Sequence, residues 1–421
     1  MSETQGTLPR PSTARAVRPP LVGRHLALVF AAAFATLTGF FLLFSVVPMY
    51  AVDGGAGGVG AGLTTGALML TTVLAELSLP RLLDRFGHRR VLAAGILLLG
   101  APSLALPFSS AMATITVVSL VRGLGFAVAV VVTGALVAAL VPAERRGEGI
   151  GVFGIVAGVP SLLALPLGVW LAGEVGYTPV FVAGAVASLA ALAVLPGLPR
   201  RISGPASSSP APERPFGIAA GLRSAALLRP AVAFASTAMA AGILITFLPD
   251  AVPGGVAAAA LFVQPAAATL SRWWAGRIGD RHGAARLLLP AVAVSASGIA
   301  LLSLAPNTVA VLAAMVVFGA GFGVTQNASM TVMFERAPAS GYGTVSALWN
   351  IGYDGGMGVG GAAFGLAAAA TGYPIAFALT SAVMLLALPL AFSRRSDSRR
   401  SDSRRSDSRR SDSRRSDSRR S

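Results

Sequence analysis

Apolar stretches of about 20 residues, the length a helix needs to cross a bilayer, follow one another along this chain and leave no gap wide enough for a soluble domain. A segment that long in lipid must satisfy its own backbone hydrogen bonds, as a helix does. Breaks at Pro, Gly and charge place about twelve spans near 26–48, 60–79, 91–110, 112–139, 149–172, 178–197, 230–248, 255–275, 287–305, 308–333, 342–368 and 373–392. The hardest to delimit is 255–275, polar at its end and broken by Pro265. The expected fold is an all-α integral membrane protein, twelve transmembrane helices in two six-helix pseudo-symmetric bundles. The expected divisions are 1–24, an N-terminal cytoplasmic segment; 25–198, the first six-helix half; 199–229, a Pro/Ser/Ala-rich cytoplasmic linker; 230–393, the second half; and 394–421, a tail.

Composition removes several classes of function. Charged residues make up 12% of the chain, against roughly 25% in soluble domains. There is no cysteine, and the three histidines, His25, His88 and His282, flank the spans instead of lying within them. Disulfides, thiolate chemistry, a metal site and an intramembrane protease therefore lack their residues. No metal, no cofactor and no enzymatic activity are expected. The N-terminus is too polar and proline-rich for a signal peptide, so the first apolar stretch should remain as a span.

The net charge of +16 comes from arginine alone, since lysine is absent. In a soluble protein it would suggest nucleic acid. Here the arginines collect between alternate spans and at the termini, whereas the other loops carry Asp53, Glu174 and Asp250 and no basic residue. The positive-inside rule then puts both termini in the cytoplasm of a multi-pass plasma-membrane protein. The expected partners are the lipid bilayer, protons and a small-molecule substrate, with no nucleic acid; a monomer is expected. The tail, RRSDS repeated five times and closed by RRS, has no apolar residue from which to build a core and reads as disordered.

Shifting the chain by 196 residues superposes much of one half on the other. Arg81, Asp84, Arg85, Gly87 and Arg90 fall on Arg277, Asp280, Arg281, Gly283 and Arg286, and Gly123, Gly125 and Phe126 on Gly319, Gly321 and Phe322. The Gly176-Tyr177 pair falls on Gly372-Tyr373. Composition does not account for the repeated charged cluster or the Gly-Tyr pair. Two parallel six-span repeats mark a large class of secondary transporters, whose halves rock around a midplane site.

LPRLLDRFGHRR at 79–90 resembles the loop signature of the major facilitator superfamily, G-x-L-a-D-r-x-G-r-k. Asp84, Arg85, Gly87, Arg89 and Arg90 match it, with Pro80 in place of the first glycine; the second copy keeps Gly276, Arg277, Asp280, Arg281 and Gly283. SLVRGLGFA at 119–127 resembles the fourth-span signature, with Arg122 at its arginine. The resemblance covers about residues 24–393. It implies that Asp84 is a conformational latch, meeting a helix N-terminus of the opposite half when the outside is open, where free N–H groups suit a carboxylate. It also implies a part in proton coupling for Arg122. The fifth span only partly resembles the family's antiporter signature; Gly154 and Gly158 offer a small-residue face for close helix packing, while Val159 and the extra Pro166 depart from the pattern.

An ionisable group at the centre of a span costs about 2.5 to 3.5 kcal/mol on insertion scales, so each asks for a reason. Asp354 lies inside the eleventh span with Asn350 one turn before it and glycines after it, which suits a proton carrier or cation anchor; the alternative is a structural carboxylate. Arg122 lies deep in the fourth span, alternatively in a buried ion pair. Glu76 and Arg272 occupy corresponding places, since 76 plus 196 is 272, and could pair as a gate between the halves when the inside is closed, or snorkel singly. Gln264, Gln326, Asn327, Thr38 and Trp349 are candidates to line a cavity. The function expected is alternating-access secondary transport, with proton-coupled export of a lipophilic or amphipathic small molecule. Alternatives are a proton-coupled importer of a sugar or organic acid, and a non-transporting membrane receptor or scaffold.

Overall fold

The computed structural model describes residues 23–141, 145–198, 217–304, 307–338 and 341–392. The tail, most of the N-terminal segment and residues 199–216 of the linker lie outside them. Every regular element among the described residues is helical. In chain order the α-helices are α1 Arg24–Phe44, α2 Val46–Ala51, α3 Gly57–Phe86, α4 His88–Gly100, α5 Met112–Leu140, α6 Arg146–Val175, α7 Tyr177–Ala190, α8 Ile218–Arg223, α9 Ala225–Ala251, α10 Gly254–His282, α11 Ala285–Leu301, α12 Thr308–Arg336, α13 Tyr342–Thr371 and α14 Tyr373–Phe392. Among the described residues nine stretches are long and apolar enough to cross a membrane, the first of them the 63 residues Arg24–Phe86.

Two expectations need correction. The signatures at 79–90 and 276–286 are not extended loops. Helix α3 runs through Pro80 to Phe86 and α4 starts at His88, so the break is Gly87 alone, at φ 77°. Helix α10 likewise runs to His282 before Gly283, at φ 86°. These left-handed backbones favour glycine, and Gly176 and Gly372 at the far ends of α6 and α13 adopt the same conformation, φ 83° and 79°. Pro265, moreover, does not break its span: α10 continues through it from Gly254 to His282, a mid-helix proline of the kind that packed membrane helices tolerate.

The 196-residue offset also appears in the packing. A Cβ at Gly123 would lie 2.1 Å from the Leu68 carbonyl oxygen, and one at Gly319 would lie 2.4 Å from that of Gln264. One at Gly125 would meet the Leu99 nitrogen at 2.3 Å, and one at Gly321 the Ser295 nitrogen at 2.5 Å. Each glycine lets α5 or α12 touch its neighbour's backbone, the close approach that small residues permit in lipid.

Helix α3 packs along α13, and α6 against α10. At positions 62 and 365 a Cβ would lie 2.4 and 2.5 Å from the carbonyl oxygens of Gly361 and Gly58. Two further contacts join these parts of the chain, Ser45 Oγ donating to the Ile245 carbonyl at 2.6 Å and Thr65 sharing a 2.7 Å hydrogen bond with Thr246. All of these lie toward the end that carries Asp53 and Asp250. Toward the Asp84 end, α6 is open: a side chain at Gly151, Gly154 or Gly158 would meet nothing within 4 Å. The expected close-packing face at Gly154 and Gly158 is therefore not packed in this conformation; it borders open space. Large apolar side chains on the outside, such as Leu70, Leu270 and Leu386, suit lipid instead of water.

Candidate functional site

Helix α13 alternates the faces on which its glycines approach neighbours. Gly356 and Gly360 come onto α9, where a Cβ would lie 2.5 Å from the Ala235 carbonyl oxygen and 2.2 Å from that of Met239; Gly358 and Gly361 come onto α3 at Met69 and Thr65. Asp354 sits one turn before them and is 4% exposed. From α3, half-buried Glu76 lies on the same seam, and the two carboxyls interact. One Glu76 carboxyl oxygen, Oε2, is buried with no donor near it.

Glu76 and Arg272 are not brought together. Arg272 donates instead to the Gln326 side-chain oxygen at 3.0 Å and to Thr269 Oγ1 at 3.3 Å. Its guanidinium is held by two neutral acceptors and stays close to Tyr353. Arg122 is 1% exposed, the largest of the fully buried side chains, with Nε and Nη1 lacking any acceptor. Among the described residues it forms no ion pair.

The cavity candidates separate into different places. Trp349 donates its indole N–H to Ser329 Oγ at 3.1 Å and stacks on Phe234 at 4.5 Å between centroids. Tyr353 stacks on the same ring at 5.5 Å. Gln326 belongs with Arg272. Asn327 lines a cavity of about 500 Å³ with Gly276, Asp280, Gly283, Thr331 and Glu335, at the Asp84 end. Gln264 is half-buried, its backbone against Gly319. Thr38 satisfies its hydroxyl on the Phe34 carbonyl, and Asn350 is half-buried. Asp84, Arg85, Arg90, Asp280 and Arg281 are exposed. Arg85 lies over the Phe86 ring at 5.2 Å, and Asp84 makes no ion pair or hydrogen bond in this conformation.

Sequence reasoning missed Tyr353 and two tyrosine clasps. Tyr177 donates to Asp53 and Tyr373 donates to Asp250, so each tyrosine just after a left-handed glycine ties the start of its helix to the end of another. The Gly-Tyr repeat was a signal for these. Their acids differ by 197 residues instead of 196, which hid them.

The family profile of the Major Facilitator Superfamily matches residues 29–361 and again 254–417. The chain belongs to the Major Facilitator Superfamily. Two superfamily relatives, both described as uncharacterized transporters, come from Methanocaldococcus jannaschii, 25% identical over 130 residues, and Mycobacterium tuberculosis, 29% identical over 139. Those alignments take in 31% and 32% of this chain and span 34% and 24% of the relatives' own lengths. Whole-chain similarity is to solved transporters of the same fold. The nucleoside transporter NupG superposes with a TM-score of 0.69 at 12% identity, covering 88% of this chain and 98% of NupG. A peptide transporter, POT, in complex with sulfate gives 0.70 at 15%, over 88% and 95%. A bacterial homologue of the human lysosomal transporter Spinster, inward-facing and occupied, gives 0.67 at 16%, over 87% and 94%. At such identities the likeness establishes the fold alone, that of a multi-pass membrane protein of this superfamily.

Proposed function

We propose that the chain is a twelve-span secondary transporter of two six-helix bundles that exports a small lipophilic or amphipathic molecule in exchange for protons. The observation that carries this reading is Asp354, buried in the interior on a helix that touches both α3 and α9, with no ion pair to an arginine among the described residues. A carboxyl held there without a counter-ion is suited to accept and release a proton as access alternates. With the Asp84 end cytoplasmic, the packed Asp53 end and the open faces of Gly151, Gly154 and Gly158 correspond to an inward-open state. The latch role of Asp84 fits its exposure here, since the latch engages only in the opposite state. The aromatic cluster of Phe234, Trp349 and Tyr353 beside Asp354 supports a lipophilic or amphipathic cargo over a sugar, because such rings offer few polar groups to replace a sugar's hydration.

The test is accumulation of a panel of fluorescent and antibiotic compounds in an efflux-deficient host. Wild type and Asp354→Asn are compared at equal membrane expression. Lowered accumulation with wild type, lost in the variant and lost on collapse of the proton gradient, is the expected result. Export that survives in the variant would remove Asp354 from coupling, and accumulation raised by wild type would reverse the direction.

A further inference from the structure

Asp354 does not stand alone, and the chemistry of its neighbour goes beyond the coupling reading on which this inference rests. Helices α3 and α13 meet at Thr65 with Gly361 and at Met69 with Gly358, and farther along the same seam toward the Asp84 end Glu76 on α3 and Asp354 on α13 come together as two interacting carboxyls. Neither receives a hydrogen bond from any other described donor, and neither forms an ion pair. A carboxylate oxygen accepts and cannot donate. The contact is therefore a hydrogen bond only when one of the two carries a proton.

The other groups near the pair do not neutralise it. Tyr353 immediately precedes Asp354 on α13 and stacks on Phe234. Arg122, from α5, has no acceptor at Nε or Nη1, and Arg272, from α10, is held by Gln326 and Thr269. The remaining charges on helices packed against α3 and α13, such as Arg229 and Asp250 on α9 or Glu335 and Arg336 on α12, lie near helix ends.

We propose that Glu76 and Asp354 form one two-carboxyl site that binds a single proton between α3 and α13, and that loss of this proton drives the two helices apart. The proton bridges Asp354, which is buried, and Glu76, which is half-buried and forms the route to water. While bound, it joins helices that belong to opposite ends of the chain sequence. Once it leaves to water, two negative charges face each other without a cation between them, and this conformation loses its hold. Two like charges sharing a site cannot both ionise without such a penalty. The symmetry mate of Glu76 is Arg272, so only one carboxyl site of this kind exists per molecule.

The test uses the full chain in lipid nanodiscs without added ligand. Because the natural sequence has no cysteine, spin labels can be placed on introduced cysteines at Leu82 on α3 and Tyr342 on α13, both exposed and both at the Asp84 end. Distance distributions are recorded over a pH series. In wild type, the distribution should shift as pH rises. In the double variant Glu76→Gln/Asp354→Asn, a neutral amide pair keeps hydrogen bonding without charge, so the low-pH distribution should persist at every pH. The exchanged pair Glu76→Asp/Asp354→Glu keeps both carboxyls and should keep the shift, which also controls for folding. No shift in wild type, an undiminished shift in the amide pair, or a shift driven by sodium at constant pH would overturn the proposal. The transport assay separates it from the broader reading: if Asp354→Asn abolishes export while Glu76→Gln leaves the pH shift intact, the shared site fails and proton coupling through Asp354 stands.

Discussion

Replacing Gly62 by Ala should move the protein out of the conformation described here. An added Cβ would lie 2.4 Å from the Gly361 carbonyl oxygen, 3.2 Å from its carbon and 3.4 Å from the Ala362 Cα, all backbone atoms that no rotamer change can clear. Restoring ordinary contact means parting α3 from α13 by roughly 1 Å, and overpacking of this kind costs about 1 to 3 kcal/mol. That converts to roughly a 5- to 150-fold fall in the population of this state relative to one with α3 and α13 apart. Gly58→Ala is the matched control. It lies one turn away on the same face, but its Cβ would sit 3.8 Å from the nearest atoms, ordinary contact. Both substitutions gain about the same helix propensity, roughly 1 kcal/mol, so their difference isolates the contact. The assay introduces Thr246→Cys, at a position 1% exposed where α9 meets α3, and follows its labelling by an impermeant thiol reagent from the Asp53 side. In this background Gly62→Ala should raise the labelling rate by the factor above, and Gly58→Ala should leave it within about twofold. Equal rates in the two variants would refute the account of what holds α3 to α13.

Other substitutions test single side chains. Arg122→Met should leave thermal stability unchanged or raise it, because it removes a buried cation without acceptors for Nε and Nη1, while abolishing transport; a loss of more than about 2 kcal/mol would identify a structural arginine instead. Tyr177→Phe and Tyr373→Phe each delete one hydrogen bond to an aspartate and should each cost about 1.5 kcal/mol in denaturation, additively if the clasps act separately. Asp84→Asn should leave the stability of this conformation within about 0.5 kcal/mol, since Asp84 has no partner here, yet shift the balance against the opposite state by roughly two- to fivefold, the worth of a carboxylate at a helix N-terminus. Spin-label distances at the two ends would register that shift. Trp349→Ala, which removes the ring stacked on Phe234, should raise the concentration of any transported aromatic compound needed for half-maximal export by about tenfold, with Trp349→Phe close to wild type.

Much of the architecture could be read without coordinates, because lipid allows so few solutions. Span length, the charged knots and the glycine pairs at a fixed offset all correspond to features of the structure: Gly87 and Gly283 share a backbone conformation, and Gly123 and Gly319 share a contact. Local breaks were harder. A run of five charges in twelve residues at 79–90 looks like a loop, yet arginine and leucine are good helix formers and only Gly87 has to leave the helix. Proline also misleads in this setting: Pro80, Pro160, Pro166 and Pro265 are all inside helices, since neighbouring helices can absorb the missing donor.

The site was legible as a set of residues and not as a set of contacts. Asp354, Arg122, Glu76 and Arg272 stand out because charge in a span is costly. The internal repeat then suggests pairing Glu76 with Arg272, but equivalence under a pseudo-two-fold relation means the same address in two different places, which is no reason for contact. The helix that matches α3 under the offset is α10, whereas the helix that α3 touches is α13, whose own match is α6. The most extensive contacts across the repeats join non-equivalent helices, α3 with α13 and α6 with α10, each pair the image of the other. The image of the Glu76–Asp354 contact would join Arg272 to position 158, which is Gly158 with nothing within 4 Å. One side of the molecule thus holds two facing carboxyls, and the other an arginine bonded to Gln326 and Thr269 with a glycine at the place of the second carboxyl. An asymmetry of charge built on a symmetric frame makes protonation act on one seam between the repeats and not on both.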